Sequence, residues 1–149
     1  MSQKVTPFLM FEKGAREAAE FYADVFPDGR VLPGGGAGVT FEVGGQRFHA
    51  FDGGSHFRFS DAISLYVSCA DQAEVDYYWD RLREGGGEEG RCGWLKDRFG
   101  VSWQVVPEAL PRLLGDPDPE RARRATEAML GMTKLDVAAL EAAADGRAS

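Results

Sequence analysis

The 149-residue chain lacks several features that would assign it a role at once. It holds two cysteines, Cys69 and Cys92. That is too few for the disulfide framework of a small secreted domain, so they are read as reduced thiols. It has no block or stripe of Lys and Arg. The 17 bases are outnumbered by 24 acids, for a formal net charge of −7. Such a chain is not expected to bind nucleic acid or an anionic membrane surface. No apolar run approaches the ~20 residues needed to span a bilayer, and no signal peptide opens the sequence. Together these absences make a cytoplasmic protein the expectation.

What remains is ordinary globular material: 44% apolar and 28% charged residues. The length suits one domain, or two small modules sharing a core, and needs no staples. The most informative stretch is Cys92 to Pro107, which reads as two short strands about a tight turn from Asp97 to Gly100. Side chains alternate along a strand, so Ser102, Gln104 and Val106 share one face, and Val101, Trp103 and Val105 the other. An amide between apolar neighbours either finds a partner in the core or faces a cavity. Lys96 and Asp97, beside the turn, read as a solvated or structural pair.

Taken in order, Val5 to Phe11 is strand-like, and Ala15 to Phe26 is helical with Ala18, Phe21, Tyr22 and Val25 on its buried face. Strand candidates follow near Arg30–Leu32, Val39–Val43 and Arg47–Phe51, the last two joined by Gly44-Gly45 as a hairpin. After a polar connector, Ala62 to Ser68 is a strand. Asp71 and Glu74 form a capping box for a helix that buries Val75, Tyr78, Trp79 and Leu82. A weak strand near Glu88-Glu89 precedes the Cys92–Pro107 hairpin. The order strand-helix-strand-strand-strand thus occurs twice. Phe8 and Met10 answer to Leu65 and Val67 at a separation of 57, as do the helices, and the hairpins align after a shift of about three.

Beyond Pro107 the chain turns helical: a short helix at Glu108–Leu114, then one opened by Asp118-Pro119 with Ala122, Ala125, Met129 and Met132 as its stripe. Thr133 to Asp136 resembles a capping box for a last helix through Ala144, and Asp145 to Ser149 should fray. A helical tail on a β-rich body is expected to cover something, either an exposed sheet edge or a second subunit. The expected fold class is α+β, with two βαβββ repeats (about 1–56 and 57–107) forming a curved mixed sheet with a central cavity. Residues 108–149 add a helical extension.

The chain resembles the PhnB-like branch of the vicinal oxygen chelate superfamily, which includes glyoxalases, bleomycin-resistance proteins and extradiol dioxygenases. Members of that branch often carry the label 3-demethylubiquinone-9 3-methyltransferase. The resemblance rests on Thr6–Phe11, Glu17–Tyr22, Phe41–Gln46, Gly53–Phe59, Glu74–Asp76, Cys92–Pro107 and Ala128–Met132. It implies the duplicated fold, a homodimer and a cavity in each curved sheet, but no single reaction. The superfamily's chemistry uses a divalent metal held by His and Glu. Its turn pattern puts a ligating Glu four residues past the turn glycine, where this chain has Gln104, a neutral and weaker donor. The strand starts at Thr6–Phe8 and Asp61–Ser64 carry no His, so His49 alone falls near a ligand position.

The expectation is therefore no bound metal and no cofactor. The glycine cluster Gly34–Gly38 offers no support for a cofactor-binding methyltransferase, because a strand follows it where a phosphate-binding loop needs a helix N-terminus. The leading reading is a metal-free homodimer that binds a small, partly apolar organic molecule. Its cavity is lined by Phe41, His49, Phe51, Trp94 and Gln104, with Trp103 included in case the faces of its strand are reversed. A metal-assisted lyase or dioxygenase, and a dimeric interaction module with a vestigial cavity, are the alternatives.

Overall fold

The computed structural model describes residues 3–34 and 37–147. The chain forms two compact units that divide between Ser60 and Asp61. The first contains β1 (Phe8–Phe11), α1 (Ala15–Val25), β2 (Arg30–Val31), β3 (Gly38–Val43) and β4 (Gln46–Asp52). Its sheet has the order β1-β4-β3-β2, with β1 parallel to β4 and the remaining pairs antiparallel. Helix α1 begins where the Asp52 carboxylate, at the end of β4, accepts the Ala15 N–H at 2.8 Å. Small Ala18 and Ala19 let the helix lie close to the sheet, and Tyr22 and Val25 complete its buried face. The β3–β4 turn needs two left-handed residues, supplied by Gly44 (φ 58°) and Gly45 (φ 80°). Both of their N–H groups donate to the Asp28 carboxylate, at 2.8 and 2.9 Å.

The second unit repeats the plan with β5 (Leu65–Cys69), α2 (Gln72–Leu82), β6 (Glu88–Glu89), β7 (Trp94–Lys96) and β8 (Ser102–Pro107), in the order β5-β8-β7-β6. Asp71 caps α2 by accepting the Glu74 N–H at 3.0 Å. Glu74 reaches back to the N–H of Ala70, one residue earlier than a reciprocal box requires. Val75, Tyr78, Trp79 and Leu82 are the buried residues of this helix, as the spacing predicts. At the β7–β8 turn the Gly100 N–H donates to the Asp97 carbonyl at 3.0 Å. The Asp97 side chain is 3% exposed. It accepts the N–H groups of Phe99 and Val101 and, at 2.9 Å, the Trp103 indole N–H. Lys96 is not its partner: that ammonium reaches Asp61 at 2.8 Å.

The extension forms α3 (Ala109–Leu114), α4 (Pro119–Leu130) and α5 (Val137–Ala144), all within the second unit. Val106 packs with Leu110, Leu113, Ala125, Leu135 and Leu140 in one buried cluster, so the extension covers its own sheet at the end of β8. The cap of α5 is Asp136, which accepts the Ala139 N–H, not Thr133 as the sequence suggests. Thr133 and Met132 instead offer their carbonyls to the N–H groups of Gly93 and Cys92, both at 2.8 Å. Gln72 adds a clasp from α2, donating to Leu135 O at 3.0 Å and accepting from Val137 N at 2.7 Å. Asp145, from which the sequence suggests fraying, has its carboxylate held by Arg121 at 2.6 Å; Ala148 and Ser149 lie outside the described residues.

The two helices repeat at the separation of 57, but the first strands do not. Phe8 is 56% exposed, on the face turned from α1, whereas Val67 is 8% exposed and turned toward α2. Phe11 and Cys69, each buried at the end of its parallel ladder, are the true equivalents, and a one-residue slip reverses every face.

Two outcomes follow from this packing. Asp97→Ala should lower the urea-unfolding free energy by about 2–4 kcal/mol, because it strips a buried charged acceptor from three donors; a loss under ~1 kcal/mol would show that the turn does not depend on it. Burial, and then the nearby Glu74 charge, push the Cys69 thiol up to about 12. Iodoacetamide at pH 8 should therefore alkylate the half-buried Cys92 and leave Cys69 untouched until denaturant is added. Mass mapping that found Cys69 labelled first would contradict the packing.

Candidate functional site

The alternation of β8 decides which side chains stand on the open face of the sheet. Trp103, Val105 and Pro107 face α2, whereas Ser102, Gln104 and Val106 face the opposite side. Gln104 stands opposite Tyr66 on β5 and opposite Trp94 on β7, so the three form one cross-strand row on the open face. The extension walls this row with Leu110, Leu114 and Met129, leaving a cleft of about 300 Å³. Its lining holds no ionised side chain. Gln104 is half-buried and its Nε2 donates to Ser64 Oγ at 2.9 Å. The amide thus has a partner and also lines a cavity. Tyr66 is 55% exposed, and partial burial raises its phenol above the ordinary value, which keeps it neutral. Cys92 completes the rim in a left-handed conformation, φ 57°.

The first unit has its own open face. Thr40 and His49 pair across β3 and β4, with Thr40 Oγ1 and His49 Nδ1 2.9 Å apart. The Phe8 ring lies 6.0 Å from the imidazole. With Leu32 and Val39 they line a cleft of about 200 Å³. One row away, Glu42 is held between Arg30 and Arg47, whose guanidinium groups lower its carboxyl below the usual range.

The six residues singled out from sequence thus divide between the two units. Gln104 and Trp94 line the second-unit cleft, and His49 lines the first-unit cleft. Phe51 shares the His49 face but does not line that cleft. Phe41 and Trp103 are core residues instead. Phe41 is 1% exposed, stacked on Phe48 at 5.1 Å and tilted on Tyr22 at 5.7 Å. Trp103 is 2% exposed against the helix side, with its indole on Asp97. The faces of β8 are not reversed. Tyr66 was missed, although its place between Leu65 and Val67 already put it on the open face. Leu110, Leu114 and Met129 could not be assigned without knowing where the extension docks.

The metal implied by the superfamily does not suit the residues present. The slot residue Gln104 is a neutral amide already bonded to Ser64, and the described residues contain no group of three or more His, Cys, Asp and Glu able to hold an ion. Among the described residues no helix is long and apolar enough to cross a membrane.

Comparison with known proteins agrees with this architecture. The sequence profile of the 3-demethylubiquinone-9 3-methyltransferase family matches residues 3–106, stopping where the extension begins. A PhnB protein from Bacillus cereus, described under the same methyltransferase name, is 32% identical with a TM-score of 0.63; the match covers 70% of this chain and 99% of that one. A Pseudomonas aeruginosa protein matches at 22% identity and a TM-score of 0.59, over 72% of this chain and 98% of its own. A glyoxylase/bleomycin resistance protein/dioxygenase domain from Frankia sp. shares the fold at 14% identity and a TM-score of 0.50, over 72% and 92%. No curated protein matches the sequence. The duplicated βαβββ plan, the profile match and the Bacillus relative together place the chain in the PhnB-like 3-demethylubiquinone-9 3-methyltransferase family, on the vicinal oxygen chelate fold.

Proposed function

We propose that this protein binds a small organic molecule on the open face of its second sheet, without a metal, and that it does so as a homodimer. The observation that carries the reading is the Tyr66–Gln104–Trp94 row, an amide flanked by two aromatic side chains in a cleft walled by the extension. Apolar and aromatic walls with a few placed polar groups are the usual make-up of small-molecule sites. The donor chemistry supports the absence of a metal, since a neutral amide engaged with Ser64 leaves no carboxylate where one is needed. In the second unit, exposed Ile63 and Leu130, at 69 and 55%, supply apolar surface for a second copy.

The family name suggests methyl transfer, but a fold alone does not fix a reaction. A nucleotide-type cofactor loop needs a helix N-terminus after its glycines. Here β2 precedes the glycine cluster and β3 follows it, while Gly35 and Gly36 lie outside the described residues.

Native mass spectrometry of the purified protein tests the reading in one measurement. The expected species is twice the 16.3 kDa chain mass, free of metal, with an organic adduct released on collisional activation. One tightly held divalent metal per chain would overturn the metal-free reading. A stable monomer at micromolar concentration would overturn the assembly.

A further inference from the structure

The lining of the second-unit cleft restricts the ligand further, and this inference rests on the small-molecule reading above. The chain as a whole carries a net charge of −7, yet no ionised group lines the cleft. A charged ligand entering it would lose water without gaining a counter-charge, which is costly in a half-buried site. That lining favours an uncharged ligand.

The row also sets a shape. Tyr66 and Trp94 stand on the strands either side of Gln104, so their backbones are roughly 10 Å apart, twice the ~4.8 Å strand spacing. A flat ring held between two others needs about 7 Å between the outer planes, at ~3.5 Å per contact. Tyr66 and Trp94 therefore flank the space above the amide, and each offers an aromatic side chain to a planar ring system. Leu110, Leu114 and Met129 close the remaining side, and Met sulfur packs well against aromatic edges. A volume of about 300 Å³ lies at the small end of ligand sites and suits a two- or three-ring compound.

The hydrogen-bond inventory sets the polarity. Gln104 has one carbonyl acceptor and two N–H donors. Its Nε2 already donates to Ser64, and no donor among the described residues reaches Oε1. Oε1 and the second Nε2 hydrogen remain for a ligand, and a hydroxyl, which both donates and accepts, matches them. We propose that the cleft takes an uncharged planar aromatic compound bearing one hydroxyl, held between Tyr66 and Trp94 and donating to Gln104 Oε1.

A matched probe series separates each part of the proposal by titration, read by Trp fluorescence and calorimetry. The probes are 1-naphthol (planar, neutral, donor), 1-methoxynaphthalene (planar, neutral, no donor), 1-naphthoate (planar, charged) and decahydro-1-naphthol (neutral, donor, not planar). The expected order puts 1-naphthol first. Loss of the donor should weaken binding about three- to tenfold, the range for one net hydrogen bond. The charged and the saturated probes should each bind at least about tenfold more weakly. Tyr66→Leu and Trp94→Leu, each with an unchanged circular dichroism spectrum, should weaken 1-naphthol at least about fivefold; Tyr66 is exposed enough that its replacement spares the fold. If 1-methoxynaphthalene matches 1-naphthol, the donor assignment is overturned. If 1-naphthoate or decahydro-1-naphthol binds best, and Trp94→Leu abolishes that binding, the ligand class is wrong while the small-molecule reading stands. If none of the four binds at millimolar concentration, the class and the binding reading fall together.

Discussion

The second unit is organised about one buried carboxylate. Asp97 is 3% exposed at a turn, where an unsatisfied charge would be very costly, and it is tolerated because it accepts from Phe99, Val101 and the Trp103 indole. Those bonds do two things together. They close the β7–β8 turn, and they fix Trp103 on the α2 side of the sheet. Strand alternation then leaves Gln104 on the other side, level with Tyr66 and Trp94. The placement of the candidate site is thus a consequence of how the turn satisfies its own polar groups.

The extension is the second determinant. By covering Val106 it removes one end of the open face from water, and the same helices bring Leu110, Leu114 and Met129 to the wall of the cleft. Its attachment is specific. Gln72 reaches from α2 to both sides of the α5 N-terminus, and the Cys92-Gly93 backbone pairs with Met132 and Thr133. The family profile ends at Val106, so these walls are formed by sequence that the profile does not describe.

Much of this was legible in the sequence, because periodicity and turn chemistry are local. The helix faces of Val75, Tyr78, Trp79 and Leu82, the Gly44-Gly45 hairpin and the alternation of β8 followed from spacing alone. The errors came where spacing is silent. Phe41 looks like a lining residue by type, but its parity places it under Tyr22, and a strand offset of 57 instead of 58 hides the correct face. Lys96 and Asp97, read as a solvated or structural pair, divide those two roles, since alternation sends Lys96 to Asp61 and Asp97 into the core. The docking of the helices depended on long-range hydrogen bonds from Gln72, which no local pattern announces.

The central claim is that the two faces of β8 have different duties, Trp103 holding the fold and Gln104 serving the cleft. Parallel chemical denaturation of Trp103→Ala and Gln104→Leu tests it most directly. Trp103→Ala should cost about 3–5 kcal/mol, as expected for a large buried aromatic. Gln104→Leu keeps a similar volume and leaves Ser64, itself half-buried, within reach of water, so it should cost less than about 1 kcal/mol. Equal destabilisation by the two substitutions would contradict the division and make Gln104 part of the scaffold.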